Sequence, residues 1–187
     1  MVEEINDMSL YRRADVAGGW YFFTVVAERR RAILTQPDIR AALRDAIVAV
    51  RQNHPFTILG WVLLPDHLHA IWQLPPGDAD FSTRWSQIKR RVTHACGATY
   101  ADPALLTARR IAKRHGTIWQ HRFWEHLIRD QRDFRRHMDY LHFNPVKHGL
   151  VERVVDWPYS SFHRLVREGA YARNWGGGEG LEIAGHR

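Results

Sequence analysis

The apolar residues of this chain recur in places at the two-residue period of a strand and in places at the spacing of a helix. The switches divide the chain into elements. The run "GGWYFFTVVAERR" is dense in aromatic and β-branched residues, opens at Gly18-Gly19 and leaves through Arg29-Arg30-Arg31, which predicts a first strand. Ile39, Leu43, Ile47 and Val50 follow at helical spacing. Thr35, three residues ahead of Asp38 and with Pro37 between them, reads as the cap of a helix running to about Asn53. "FTILGWVLL" and "HLHAIWQL" are strand-like runs joined by Pro65-Asp66, so an antiparallel hairpin is expected. Beyond "PPGDAD", Ser82 is placed to cap a second helix with Trp85, Ile88, Val92 and Cys96 on one side.

Residues 100 to 116 form a polar, basic connector with room for a short helix around Ala104 to Ala112. "TIWQHRFWEHLIRD" offers one or two further strand runs, and Asp130 caps a third helix with Phe134, Met138 and Leu141 on its apolar face. Asn144-Pro145 is expected to stop that helix, because a residue before proline is pushed out of the helical region. Strand, helix, hairpin, helix, strand, helix predicts an α+β domain, an antiparallel sheet with helices packed on it, close to ferredoxin-like topology. One domain is expected over 1–165, with 166–187 a Gly-rich, flexible tail.

Composition narrows the class. With 45% hydrophobic and 12% aromatic residues the chain is globular rather than disordered. It lacks an apolar run of membrane-spanning length, and "MVEEINDMSLYRR" lacks the order of a signal peptide, so a soluble cytoplasmic protein without a membrane partner is expected. The single cysteine, Cys96, excludes an intrachain disulfide and a cysteine zinc cage.

The net charge of +7 is concentrated: nine Lys or Arg lie between Arg84 and Arg122 against one acid, Asp102. That field favours a polyanion, and Trp85, Trp119, Phe123 and Trp124 could stack bases, so nucleic acid is the expected partner. The candidate contacts are Arg84, Lys89, Arg90, Arg91, Arg109, Arg110, Lys113, Arg114, Trp119 and Arg122. A solvated basic face is the alternative.

The chemistry starts at "LLPDHLHAIW". On a strand His67 and His69 point to one face, with Cα atoms about 6.5 Å apart, while Leu68 points to the other. Both imidazoles could reach one metal ion, or both could be polar residues on an exposed sheet face. The pair alone is weak, since 12 histidines in 187 residues yield roughly one such pair by chance. "MDYLHFNPVKHGL" places Tyr140 and Asn144 four residues apart on a helix, with His137 one turn earlier. A phenol beside an amide oxygen able to complete a two-histidine site is a nucleophile next to its Lewis acid. Alternatively, Tyr140 packs and Asn144 ends the helix.

"PDHLHAIW", then about seventy residues on "YLHFNPVKHGLV" and "DWPYSSF", together resemble the HUH-type single-tyrosine transposases, and within them the REP-associated tyrosine transposases. "YRRADVAGGWYFFTVV" and "IWQHRFWEHLIRD" fit the same family, so the resemblance runs from about Leu10 to Arg164. It implies a divalent cation, magnesium or manganese, held by His67, His69 and Asn144, and attack by Tyr140 on single-stranded DNA beside a palindromic hairpin. A 5′-phosphotyrosine link would form and be resolved by strand transfer. Glu125, His126, His137 and His142 are candidate general bases. The resemblance also implies a bacterial, nucleoid-associated protein acting as a monomer or homodimer. A catalytically silent hairpin-DNA-binding regulatory protein is the rival reading.

Overall fold

The computed structural model describes residues 15–113 and 116–176. Its centre is a four-stranded antiparallel sheet, β1 (Trp20–Val26), β2 (Thr57–Leu63), β3 (His67–Gln73) and β4 (Trp124–Leu127), in the order β2-β3-β1-β4. With α1 (Pro37–Asn53) between β1 and β2, and α2 (Phe81–Tyr100) between β3 and β4, this is the expected ferredoxin-like arrangement. The two helices pack on each other and on one face of the sheet. There they bury Ile39, Leu43, Val50, Trp85, Ile88 and Val92 against Tyr21, Phe23, Leu68 and Trp72. A short α3 (Ala108–Ala112) lies in the connector.

The other face is covered by α4 (Gln131–Lys147) and α5 (Phe162–Arg167). Met138, Leu141 and Leu165 close over Phe22, Val62 and Ile71. The helix α4 packs on β2 and β3. It approaches closely because Gly60 has no side chain: a Cβ there would stand 2.6 Å from the Met138 sulfur.

Several local expectations change. At α1 the N-cap is Gln36, without a side-chain cap, and Pro37 opens the helix in place of a Thr35–Asp38 box. The cap of α2 is Asp80, whose side chain accepts from Thr83 N–H, rather than Ser82. Asp130 caps α4 as expected, accepting from Asp133 N–H. That helix does not stop at Asn144-Pro145 but runs through the proline to Lys147. Its end is set by Gly149 at φ 66°, whose N–H bonds Val146 O while Leu150 N–H bonds Pro145 O, a Schellman closure that a left-handed glycine permits. The boundary drawn at 165 falls inside α5, and Tyr171 and Trp175 pack back on Phe162 and His142, so the folded body reaches Gly176. The rest of the Gly-rich stretch lies outside the described residues. Among the described residues no helix is long and apolar enough to cross a membrane.

Candidate active site

His67 and His69 lie on β3 with side chains toward α4, while Leu68, Ala70 and Trp72 enter the α1/α2 core. The alternative of two polar residues on an exposed sheet face therefore fails: both imidazoles are buried, because α4 roofs that half of the sheet. Each is oriented through Nδ1. His67 Nδ1 donates to Asp66 Oδ1 at 2.6 Å, and His69 Nδ1 is hydrogen-bonded with Thr24 Oγ1 at 2.9 Å. The Asp66 carboxylate can only accept, so it leaves His67 Nε2 as the lone-pair nitrogen, and the Thr24 hydroxyl fixes the orientation of the His69 ring. Burial holds the His69 imidazole well below the ordinary histidine range, and neighbouring His67 adds to the shift. It is therefore neutral, the form a metal ligand needs. Burial opposes ionisation of Asp66, but its bonds to His67 and Arg30 outweigh this and hold the carboxyl below the usual range.

Asn144 and Tyr140 come down from α4. Asn144 is fully buried, and its Nδ2 donates to Tyr140 O at 3.0 Å, which aims Oδ1 the other way. Asn144 Oδ1 and His69 Nε2 are both buried without a hydrogen-bond partner among the described residues. Buried polar atoms without partners cost free energy unless something meets them, and a cation would meet both the amide oxygen and a neutral imidazole nitrogen. Two imidazole nitrogens and an amide oxygen thus fit a divalent cation, and water or substrate oxygens would complete its shell. Half-buried Tyr140 meets the rings of His69 and Phe22 edge to face, and Lys147 Nζ stands 4.9 Å above its centroid.

The four candidate general bases separate. Glu125 belongs to the opposite face, paired across from Phe23 in the α1/α2 core. His142 faces away from Tyr140, bonded to Ser161 Oγ at 3.0 Å and packed on Phe162 and Tyr171; burial lowers its imidazole to about 3. Neither can serve Tyr140. His137 and His126 stay on the tyrosine's side, their rings stacked at 4.5 Å, with His137 also against Phe22. Donor atoms of His126, Asp133 and His137 lie within 4.8 Å of one another, a second group able to hold a metal. Arg129 already binds the Asp133 carboxylate through its main-chain N–H at 3.1 Å and its Nε at 3.3 Å. As it stands, the trio is a hydrogen-bonded clamp of α4 on β4.

The basic candidates divide more sharply. Arg84 is 1% exposed, gripping Asp78 through both terminal nitrogens and the carbonyls of Asp80, His54 and Pro55. It is a core strut rather than a DNA contact. Lys89 reaches the Gln120 and His121 carbonyls, Arg110 binds Glu28 and Gly116 O, and Trp119 is buried beside β1. Arg90, Arg91, Arg109, Lys113 and Arg122 are exposed, and Arg114 lies outside the described residues. Arg90 and Arg91 belong to α2, across the sheet from the histidines. Charge density along the chain could not separate these cases, because a buried strut and a phosphate contact look identical in composition.

Sequence reasoning also passed over residues that the fold brings to the site. Thr24 and Asp66 orient the two histidines, and the His148 ring lies 5.1 Å from that of His67. The signal for His148 was its place four residues after Asn144, on the same helical face. Burial lowers its imidazole, and His67 adds to the effect.

Comparison with known proteins agrees with this geometry. Residues 15–142 match the family model described as "Transposase IS200 like". The chain is 48% identical over 170 residues to the REP-associated tyrosine transposase of Escherichia coli (strain K12), covering 91% of this chain and 92% of that one. It is 42% identical over 179 residues to a Haemophilus influenzae relative, covering 95% and 99%. A solved structure of a REP-associated tyrosine transposase bound to a REP hairpin superposes with a TM-score of 0.78 at 47% identity, covering 96% of this chain and 98% of that one.

Proposed function

This chain belongs to the family of IS200-like transposases, and we propose that it cleaves and rejoins single-stranded DNA beside palindromic hairpins, with Tyr140 as the nucleophile. The reading rests above all on two buried polar atoms with no hydrogen-bond partner among the described residues, His69 Nε2 and Asn144 Oδ1, beside the Tyr140 ring. His67, His69 and Asn144 would hold a divalent cation. Two imidazoles with a single oxygen favour manganese over magnesium, which prefers an all-oxygen shell. Bound there, the cation would supply Lewis-acid polarisation of the scissile phosphate.

Tyr140 Oη attacks phosphorus as the bond from phosphorus to the 3′ oxygen breaks. The products are a 5′-phosphotyrosine link and a 3′-hydroxyl; the phenol gives up one proton and the departing oxygen gains one. Attack on that link by another 3′-hydroxyl rejoins strands and frees the tyrosine. Because tyrosine and metal ligands meet within one chain, a monomer can act in cis. The partner on this reading is a hairpin with a single-stranded flank, in line with the hairpin carried by the superposed relative.

The test is a denaturing gel of protein incubated with labelled, flanked hairpin DNA and Mn2+. Wild type should run as a covalent protein–DNA band, and Tyr140→Phe should lose the band while still shifting the hairpin in a native gel. A Tyr140→Phe protein that still forms the adduct excludes Tyr140. A wild type that binds the hairpin but never forms an adduct favours the silent regulatory reading.

A further inference from the structure

Of the tryptophans raised as base-stacking candidates, Trp85 and Trp119 are buried, whereas Trp124 is 43% exposed. Its position is set by register. Thr24 on β1 lies opposite His69 on β3 and opposite Trp124 on β4, so Trp124 stands two strands from the metal-ligand histidine, about 10 Å away across the sheet. Strand alternation puts Trp124 and His126 on the same face as His69, and their rings run near-parallel, 11° apart at 5.9 Å. α4 packs over β2 and β3 and also reaches β1 and β4, through His137 on Phe22 and through the His126–Asp133 bond, so what stays open on this face is its β4 margin at Trp124. It is bordered by the half-buried Tyr140 and by exposed arginines: Arg129, which is 73% exposed, Arg132 and Arg136, the last two at helical spacing before Tyr140. An aromatic shelf beside a phosphate-handling centre, rimmed by cations, is how sequence-tolerant single-strand sites are built.

Building on the proposed function, we propose that Trp124, backed by His126, is the platform on which an unpaired base next to the scissile phosphate stacks. The platform holds the strand so that its phosphate lies between Tyr140 and the His67/His69/Asn144 cradle. The occupant is a single-stranded nucleobase, and a paired stem cannot satisfy the site because its bases already stack on one another.

The experiment uses the full chain with a synthetic hairpin bearing a single-stranded flank, with 2-aminopurine placed in turn at each flank and stem position. Wild type should quench the probe at a flank position beside the cleavage site and leave stem positions unchanged. Trp124→Ala should abolish that quench and weaken binding of the flanked hairpin on the order of tenfold. It should leave a blunt hairpin's affinity unaltered, and Trp124→Phe should retain most of both signals. Ile111→Ala, which trims an exposed apolar side chain on α3, should change neither. Absence of quenching at every flank position in wild type overturns the proposal without recourse to any variant. So does a Trp124→Ala protein that binds flanked DNA normally, or one that loses flanked and blunt hairpins equally. Wild-type adduct formation on the same DNA tests the underlying function separately: an adduct with no quench defeats the platform alone, and no adduct defeats the function.

Discussion

The ring of Tyr140 meets that of His69 edge to face, with centroids 5.4 Å apart and planes at 64°. One residue hangs from a helix and the other stands on a strand 71 positions earlier. The nucleophile and metal ligand of the proposed reaction are therefore neighbours only through the packing of α4 on the sheet.

His69→Ala and His67→Ala should each abolish the covalent adduct and the Mn2+ dependence together, with hairpin binding preserved. Isothermal titration with Mn2+ checks the metal and a native gel checks the DNA. An unchanged metal isotherm in both variants would remove the cradle.

Thr24→Val removes the hydroxyl bonded to His69 Nδ1 while keeping a β-branched side chain of nearly the same shape on β1. Loss of a partner that orients a ligand costs metal affinity roughly tenfold or more. The thermal midpoint should hardly move while the Mn2+ isotherm weakens. Equal affinity in both proteins would show that packing alone fixes the ring.

Gly60→Val forces a side chain into space held by Met138 and Leu141. Overpacking of this kind costs about 1–3 kcal/mol. Because the displaced helix carries Tyr140 and Asn144, adduct formation should fall further than stability does. Chemical denaturation set beside the adduct assay reads both.

Arg84→Met should destabilise the fold by about 3 kcal/mol, since it strands Asp78 and three carbonyls around a buried strut, yet leave DNA affinity of the folded protein intact. The hydrogen bond from Arg84 is what chiefly holds the Asp78 carboxyl below its ordinary range. A depressed carboxylate contributes stability above its unfolded value, about 3.9, which is lost as pH falls through the lower folded value. Wild type should therefore lose part of its advantage over Arg84→Met in acid below about pH 4. Melting curves at pH 3 and pH 7 measure it. A weakened DNA complex at neutral pH would return Arg84 to the nucleic-acid surface.

Much of this protein was determined locally, and there the sequence was enough. Strand period, helix period and the Pro65-Asp66 turn are short-range properties, so the ferredoxin-like order could be read directly. The two-residue spacing of His67 and His69 and the four-residue spacing of Tyr140 and Asn144 likewise fix which face of its own element each side chain shares. What two faces do when they meet is not a local property. Only the tertiary structure decided that α4 would cover the histidines, so that the pair is buried rather than set on an exposed sheet face, and two polar atoms are left without hydrogen-bond partners among the described residues. It also decided that Glu125 and His142 turn away from the tyrosine, and that Arg84 and Trp119 enter the core while Trp124 stays in solvent. Pro145 is the instructive local failure: proline disfavours a helical residue before it, but packing of Asn144 and Leu141 outweighs that cost, and Gly149 ends the helix instead. Burial, unlike periodicity, belongs to the whole chain, and in this protein burial separates a basic or aromatic residue that can meet DNA from one that holds the fold together.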